Sequence, residues 1–432
     1  MSQAIKKEVY WYTKKSPVTQ PLTENISTDV VVVGGGVAGL TVADRLSREG
    51  KHVVLLERDF CGAGASGKSS GMVAQDSELG LAGLIEHCGP EDAKLLWEFV
   101  GGGLEIMRRN IKEHGIECDY QEQDYVFMAN NRRGFRKVMD EYKSRKLLGY
   151  EGRLYDKKTV SNIIGSRKYV GALRYPGTFA LNSYLYVQGM REILLKRGVK
   201  IFEGTEVTDF DNKGVVVRGG AYRVLAEQIV LCVDRFLPEF KRFKKDVYHI
   251  ETYLTISKPL KEEDAQRLFP SGNIIVADSD MIYQYYRITG DRRLLLGGGD
   301  YLTTYAYTQS KKPEHIIPKL TRYMKKKFPG FNIEVEYVWP GLLGVSKDLV
   351  PLMGVDRVLP NVYYITTATG LAWATALGNY IGEKILEGRS DYDEVFSLYR
   401  KFPFDPFMRM LQPLTTTPMA FGLSHAFVEY LR

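Results

Sequence analysis

The amino-acid sequence predicts an α/β fold in which a parallel-sheet domain is interleaved with an α+β domain carrying an antiparallel sheet. Three observations predict it. Four consecutive valines, Val30 to Val33, run into a glycine-rich turn and then a helical pattern. A second apolar run, His52-Val-Val-Leu-Leu-Glu57, follows directly and ends in a carboxylate. Short strand-like segments around 248–257, 274–277, 281–289 and 293–297 then recur at the spacing of a meander. A chain of 432 residues, 44% of them hydrophobic, can fill the cores of two or three domains.

Charge and cysteine usage exclude several function classes. The net charge of +7 comes from basic residues scattered among 52 acidic ones, and the densest cluster, Lys325 to Lys327, lies on a predicted helix over 316–328 as a solvated face. A nucleic-acid footprint would be a stripe with base-reading residues in it. Cys61, Cys88, Cys118 and Cys232 form no CxxC pair and no Cys/His ligand array, so no metal is expected. The N-terminus lacks the apolar core of a signal peptide, and no window approaches the ~20 apolar residues that span a bilayer. A cytoplasmic protein without a nucleic-acid partner is expected, with peripheral membrane contact and oligomeric state left open.

The local motif is specific. Four β-branched residues in a row suit a strand buried on both faces. Gly34-x-Gly36-x-x-Gly39 then opens a helix whose Leu40, Ala43 and Leu46 recur at helical spacing up to Gly50. Gly34 makes the tight turn, Gly36 lets backbone approach a pyrophosphate, and Gly39 lets helix and strand pack closely. Glu57 stands where a carboxylate accepts ribose hydroxyls. Strand, turn, helix and terminal acid together read as a Rossmann-type dinucleotide site.

The segment Cys61-Gly-Ala-Gly-Ala-Ser-Gly-Lys-Ser-Ser-Gly71 bears on which dinucleotide. Small residues leave room for a bulky cofactor, and Ser66, Ser69 and Ser70 add hydroxyls to backbone amides. On composition alone the segment also suits a flexible surface loop. With this segment the chain resembles the D-amino-acid-oxidase-type FAD-dependent flavoenzymes, most closely the branch containing gamma-glutamylputrescine oxidoreductase. The resemblance runs from Val9-Tyr-Trp-Tyr-Thr through Gly64-Ala-Ser-Gly67 and Gly115-Ile-Glu-Cys-Asp-Tyr120 to Asn361-Val-Tyr-Tyr-Ile-Thr-Thr-Ala-Thr-Gly370.

Motif and resemblance together place FAD against Gly34, Gly36, Val37, Ala38, Gly39, Glu57, Arg58, Gly64, Ala65, Ser66, Ser69, Ser70, Gly71, Met72, Val207, Thr369, Gly370, Leu371, Ala372 and Trp373. The resemblance implies that the helix after Gly370 points its N-terminus at the flavin pyrimidine. Many relatives carry Gly-His-Gly at that turn, whereas this chain has Gly370-Leu371-Ala372. No Cys or His occurs in 62–72 or 366–373, so FAD is expected to be noncovalent, with Cys61 a small buried residue.

The expected boundaries are 28–83, 181–244 and 341–395 for the FAD-binding domain, 84–180 and 245–340 for the substrate domain, and 396–432 for a C-terminal extension. Helices are expected over 91–113, 133–147, 184–196 and 372–387. The triplet Gly101-Gly-Gly103 should weaken or bend the first of these. Gly297-Gly-Gly299 reads as a turn, and Asp234 as a loop cap in preference to a cofactor neighbour.

For the chemistry, flavin accepts hydride at N5 from the carbon of an unprotonated amine, and water hydrolyses the resulting imine. The predicted substrate is therefore a small amine: a polyamine derivative or another primary or secondary amine. Tyr125, Tyr253, Tyr285, Tyr286 and Trp339 are expected to border the pocket, where aromatic faces hold a cation. Arg287 either binds a substrate carboxylate or pairs across the sheet. The resemblance puts Leu343 where glycine-oxidase-like relatives have a carboxylate-binding Arg, unless Lys347 or Arg287 replaces it. Tyr253, Tyr286, Arg287 and Lys347 are the catalytic candidates. Two other readings stay open: a hydroxy-acid dehydrogenase using His249 as base, and a non-catalytic FAD-binding assembly protein.

Overall fold

The computed structural model describes residues 4–14, 18–76, 78–300, 303–304, 308–401 and 422. Its first sheet grows from β1 (Ile26–Val33), which lies parallel to β2 (Val53–Leu56) on one side and to Tyr222–Leu231 on the other. Lys200–Phe202 extends it past β2, and Val362–Thr366 joins parallel to the end of Tyr222–Leu231. Val30 to Val33 are all buried, as a run apolar on both faces requires. Helix α1 (Val37–Arg48) turns Leu40, Val42, Ala43 and Leu46 into the core and packs against helix Leu371–Glu387. Gly50, at φ +76°, then reverses the chain into β2.

The second sheet runs in the order Val335–Val345, Tyr248–Pro259, Arg293–Gly298, Tyr285–Ile288, Ile274–Asp278, Asp124–Ala129, Gly171–Tyr175 and Arg153–Asp156. All its pairs are antiparallel except Ile274–Asp278 with Asp124–Ala129, which is parallel. Those two strands come from separate passes of the chain, with strands of the first sheet between them in sequence, so no hairpin dictates their direction. Strands of the first sheet thus come from before, between and after those of the second.

Two expectations about glycines need correction. The long helix, Leu81–His114, runs through Gly101 to Gly103 and breaks instead at Gly89-Pro90, where Gly89 has φ +83°. Gly101 and Gly103 are packing devices, whereas a Cβ on Gly102 would meet nothing within 4 Å. A Cβ on Gly103 would lie 2.2 Å from the Ala372 carbonyl oxygen, and one on Gly101 would lie 2.8 Å from Gln75 Nε2. Close approach to helix Leu371–Glu387 outweighs the propensity cost of about 1 kcal/mol per glycine. Likewise Gly297 and Gly298 end a strand rather than form a turn, because the Tyr285 ring lies across Gly297, its register partner.

Among the described residues no helix is long and apolar enough to cross a membrane, and no His/Cys/Asp/Glu group could hold a metal. Of the expected C-terminal extension, Phe396 packs against Phe99 and Trp373, while 402–421 and 423–432 lie outside the described residues.

Candidate active site

A cavity of about 1590 Å³ runs from the glycine turn of β1 across to the second sheet. At the turn, Gly34 has φ +112°, and a Cβ there would sit 2.3 Å from the Cys232 carbonyl oxygen. A Cβ on Gly39 would sit 2.0 Å from the Gly34 carbonyl oxygen, so α1 can start only against a glycine. No side chain caps α1 beyond Gly36, although the Ser66 hydroxyl accepts the Val37 amide at 3.0 Å. Glu57 accepts the Gly35 and Asp59 amides at 2.7 and 2.9 Å and lines the cavity beside Gly36. Burial pushes its carboxyl above the usual range, with the two amides pulling the other way.

The 61–71 segment is held by its carbonyls. Tyr12 donates to Gly62 at 2.8 Å, Trp339 to Lys68 at 3.0 Å, Trp11 to Ser69 at 2.7 Å and Arg287 to Ser70 at 3.0 Å. Four side chains from three distant stretches fix it, so it is no loose surface loop. The aromatic lead-in Tyr10-Trp11-Tyr12 thereby gains a purpose that its sequence alone did not reveal.

At the far wall the strand Val362–Thr366 turns through Thr367, at φ +56°, and Gly370, at φ +111°, into helix Leu371–Glu387, which has no side-chain cap. The Thr369 hydroxyl is buried there without a hydrogen-bond partner. An orphaned donor beside an uncapped helix N-terminus suits the polar edge of a flavin ring, and the glycine cradle at the other end suits its pyrophosphate. These residues fit FAD. A family model described as "DAO: FAD dependent oxidoreductase" matches residues 29–384. The chain belongs to that family.

Relatives agree along nearly the whole length. The chain is 27% identical over 408 residues to gamma-glutamylputrescine oxidoreductase of Escherichia coli, covering 93% of each. It is 27% identical over 377 residues to the probable oxidoreductase OrdL of Haemophilus influenzae, covering 85% of this chain and 84% of that one. Among solved structures, glycine oxidase from Geobacillus kaustophilus aligns with a TM-score of 0.74 at 17% identity, covering 88% of this chain and 100% of that one. L-proline dehydrogenase from P. horikoshii aligns at 0.73 and 18%, covering 87% and 98%. These structural likenesses establish the shared fold.

Of the residues expected to contact FAD, this flavoprotein lines its cavity with Gly34, Gly36, Ala38, Glu57, Arg58, Gly64, Ala65, Ser66, Ser69, Ser70, Met72, Val207, Thr369, Gly370 and Leu371. Val37, Gly39, Gly71, Ala372 and Trp373 stand behind that wall. Gly71, at φ +69°, presses on the Leu181 carbonyl, and Trp373 packs in the core against Phe99 and Phe396. The wall also includes Thr205 and Cys232, which the motif reading missed as contacts, and Asp234, which it read as a loop cap in preference to a cofactor neighbour. Asp234 Oδ2 accepts the Gly344 amide at 3.0 Å, tying the first sheet to the last strand of the second.

The four catalytic candidates do not line the cavity. Successive strand residues face opposite ways, so Tyr285 and Thr252 reach the wall while their neighbours Tyr286 and Tyr253 point into the core behind the sheet. The Tyr286 hydroxyl bonds Tyr169 at 2.8 Å, and Tyr253 donates to Glu251 at 2.7 Å. Arg287 shares a face with Tyr285 but is 0% exposed, and its guanidinium donates to the Ser70 and Leu181 carbonyls. Lys347 pairs with Asp246 at 3.0 Å. Trp339 is likewise buried, holding the Lys68 carbonyl. The second-sheet end of the wall is instead built from Thr252, Tyr285, Leu342 and Leu343, with Tyr125 stacked on Tyr175 at 5.1 Å and Asp76 and Glu78 also in the lining.

Proposed function

We propose that this FAD-dependent oxidoreductase oxidises a small cationic amine at a CH–NH or CH–NH2 bond, by hydride transfer to a noncovalently held flavin and hydrolysis of the imine. The observation that carries the reading is the sheet wall of the cavity. Leu343 lines it at the position where the resemblance puts a carboxylate-binding Arg in glycine-oxidase-like relatives, and Arg287 lies behind the wall with Nε and Nη2 given to backbone carbonyls. The printed names of three relatives, gamma-glutamylputrescine oxidoreductase, glycine oxidase and L-proline dehydrogenase, point to nitrogen-bearing substrates.

Bound FAD supplies the two-electron acceptor. Tyr285, held by a 3.1 Å hydrogen bond to Thr252, and the Leu342–Leu343 pair present an apolar floor that excludes water from the reacting carbon. His87, the one histidine in the wall among the described residues, has Nε2 3.9 Å from Asp348 and is our candidate for the group that takes a proton from the ammonium. Burial raises the Cys232 thiol far above its usual range, which keeps it protonated and inert toward flavin and supports noncovalent binding.

The hydroxy-acid reading survives as an alternative because it too needs a base. His249 does not supply it, since its ring bonds the Arg235 carbonyl at 3.1 Å outside the wall. His87 would. Leu343→Arg tests the amine reading. A guanidinium placed in the wall should raise kcat/KM for an α-amino acid relative to its decarboxylated amine by about 10- to 100-fold, the equivalent of ~1.5–3 kcal/mol for a charged hydrogen bond. A wild-type enzyme that already prefers the amino acid, with no gain in the variant, would contradict the reading.

A further inference from the structure

Arg287 brings a buried charge that the protein does not balance. It stands on strand Tyr285–Ile288 of the second sheet, 0% exposed, and reaches the 61–71 segment of the first domain. Nε donates to the Ser70 carbonyl at 3.0 Å and Nη2 to the Leu181 carbonyl at 2.7 Å, while Nη1 is sealed from solvent without a hydrogen-bond partner. The carboxylates whose field reaches it, Asp119 and Asp291, are spent elsewhere. Asp119 accepts the Gly290 amide at 3.0 Å and Gln121 at 2.9 Å, and Asp291 accepts Tyr10 at 2.5 Å and Arg293 at 2.7 Å. The Trp11 ring, 5.8 Å away, adds a weak attraction. Burial lowers the guanidinium to about 10, so it stays charged at neutral pH.

One layer of backbone separates that charge from the cavity. Ser70 and Met72 line the lumen on either side of Gly71. A Cβ on Gly71 would lie 3.1 Å from Arg287 Nη2, so the missing side chain is what lets the guanidinium close up behind the segment. Cations in the lining itself, such as Lys68, Arg58 and Arg235, are half-buried or exposed, and solvent screens them. Arg287 has no such screen, and at an effective dielectric of about 20 its field extends across a backbone layer. Hydride transfer creates a charge for it to meet. The hydride leaves the substrate carbon with its electron pair and forms an N5–H bond, so a neutral flavin ring becomes an anion. A charge held close to the ring tunes its electronics.

We propose that Arg287 is a positioning residue for the flavin: from behind Ser70 and Gly71 it stabilises the negative charge that hydride transfer places on the ring. It thereby favours the reduced cofactor and raises its midpoint potential. Its two hydrogen bonds also join the second sheet to the segment that carries Ser69, Ser70 and Met72. The uncompensated burial of a guanidinium, costly in itself, then has a counter-charge in the reduced enzyme. The inference rests on the hydride-transfer reading above, but its test uses no amine, so either can fail alone.

Sulfite is the probe, because it adds at flavin N5 and leaves a negative charge on the ring as hydride does. The FAD-loaded wild type, Arg287→Lys and Arg287→Gln are titrated with sulfite at matched FAD content, and their midpoint potentials are measured by dye equilibration. Arg287→Gln keeps a donor but no charge. It should weaken sulfite binding at least about tenfold and lower the two-electron potential by about 30 mV, the same tenfold in equilibrium. Arg287→Lys keeps the charge but not the fork, and should stay within about threefold of the wild type. A purely structural clamp predicts otherwise. Equal shifts in the two variants, or a fall in FAD content with sulfite affinity unchanged, overturn the proposal. If Arg287→Gln purifies without flavin, the wild type and Arg287→Lys decide against free FAD titrated alongside. Both binding sulfite at least about tenfold more tightly than free FAD keeps the proposal, and either one binding it less tightly than that overturns it.

Discussion

Gly39→Ala gives a protein that purifies without flavin. A single methyl at this position lies 2.0 Å from the Gly34 carbonyl oxygen, a backbone atom that no rotamer change can move. Gly34 cannot retreat, because it already holds φ +112° against the Cys232 carbonyl. Helix α1 must then lift off β1, carrying the Gly36 end of the cradle away from the pyrophosphate position. The strain belongs at the upper end of the overpacking range, ~3 kcal/mol. FAD released on denaturation should fall below about a tenth of the wild-type amount, since the same displacement acts directly on the bound cofactor. Gly50→Ala is the control. Gly50 also has positive φ, at +76°, but a methyl there meets nothing within 4 Å, so it should cost about 1 kcal/mol and keep its flavin. Stoichiometric FAD in Gly39→Ala would contradict this account of the turn.

Gly103→Val should loosen flavin binding from the opposite wall. The Cβ would meet the Ala372 carbonyl oxygen at 2.2 Å and the Ala376 amide nitrogen at 3.0 Å, forcing helix Leu81–His114 away from helix Leu371–Glu387. The N-terminus of the latter carries Gly370 and Leu371 in the cavity wall, and a tilt there misaligns the amides and the Thr369 hydroxyl. We expect FAD affinity to drop at least about tenfold and stability to fall by ~2–3 kcal/mol. Gly102→Ala, next along the helix, meets nothing within 4 Å and should stabilise the protein by about 0.5–1 kcal/mol. Equal effects of the two substitutions in an FAD titration would show that helix packing does not set the flavin wall.

The contrast between these glycines shows what the sequence made legible. Gly34, Gly36 and Gly39 announce themselves because strand, turn and helix are local and each glycine has a sterically defined place. Gly103 does not, because its partner Ala372 is remote in sequence and the helix pattern hides a tertiary contact behind a propensity penalty. Tyr285 and Tyr286 were equally attractive as pocket residues by composition, and only the alternation of strand faces separates them. Arg287 read either as a substrate anchor, through its planar fork, or as a strand residue pairing across the sheet, but here it serves two backbone carbonyls. Asp76 and Glu78 gave no signal at all in Gln75-Asp-Ser-Glu-Leu79, since acidic residues in a polar stretch ordinarily face solvent.

The central claim, that an amine reduces the flavin held in this cavity, is tested most directly by mixing the FAD-loaded protein anaerobically with separate amines, α-amino acids and hydroxy acids and following flavin absorbance. The account predicts complete bleaching by at least one amine. Bleaching by hydroxy acids alone, or a flavin that no compound reduces, would contradict it.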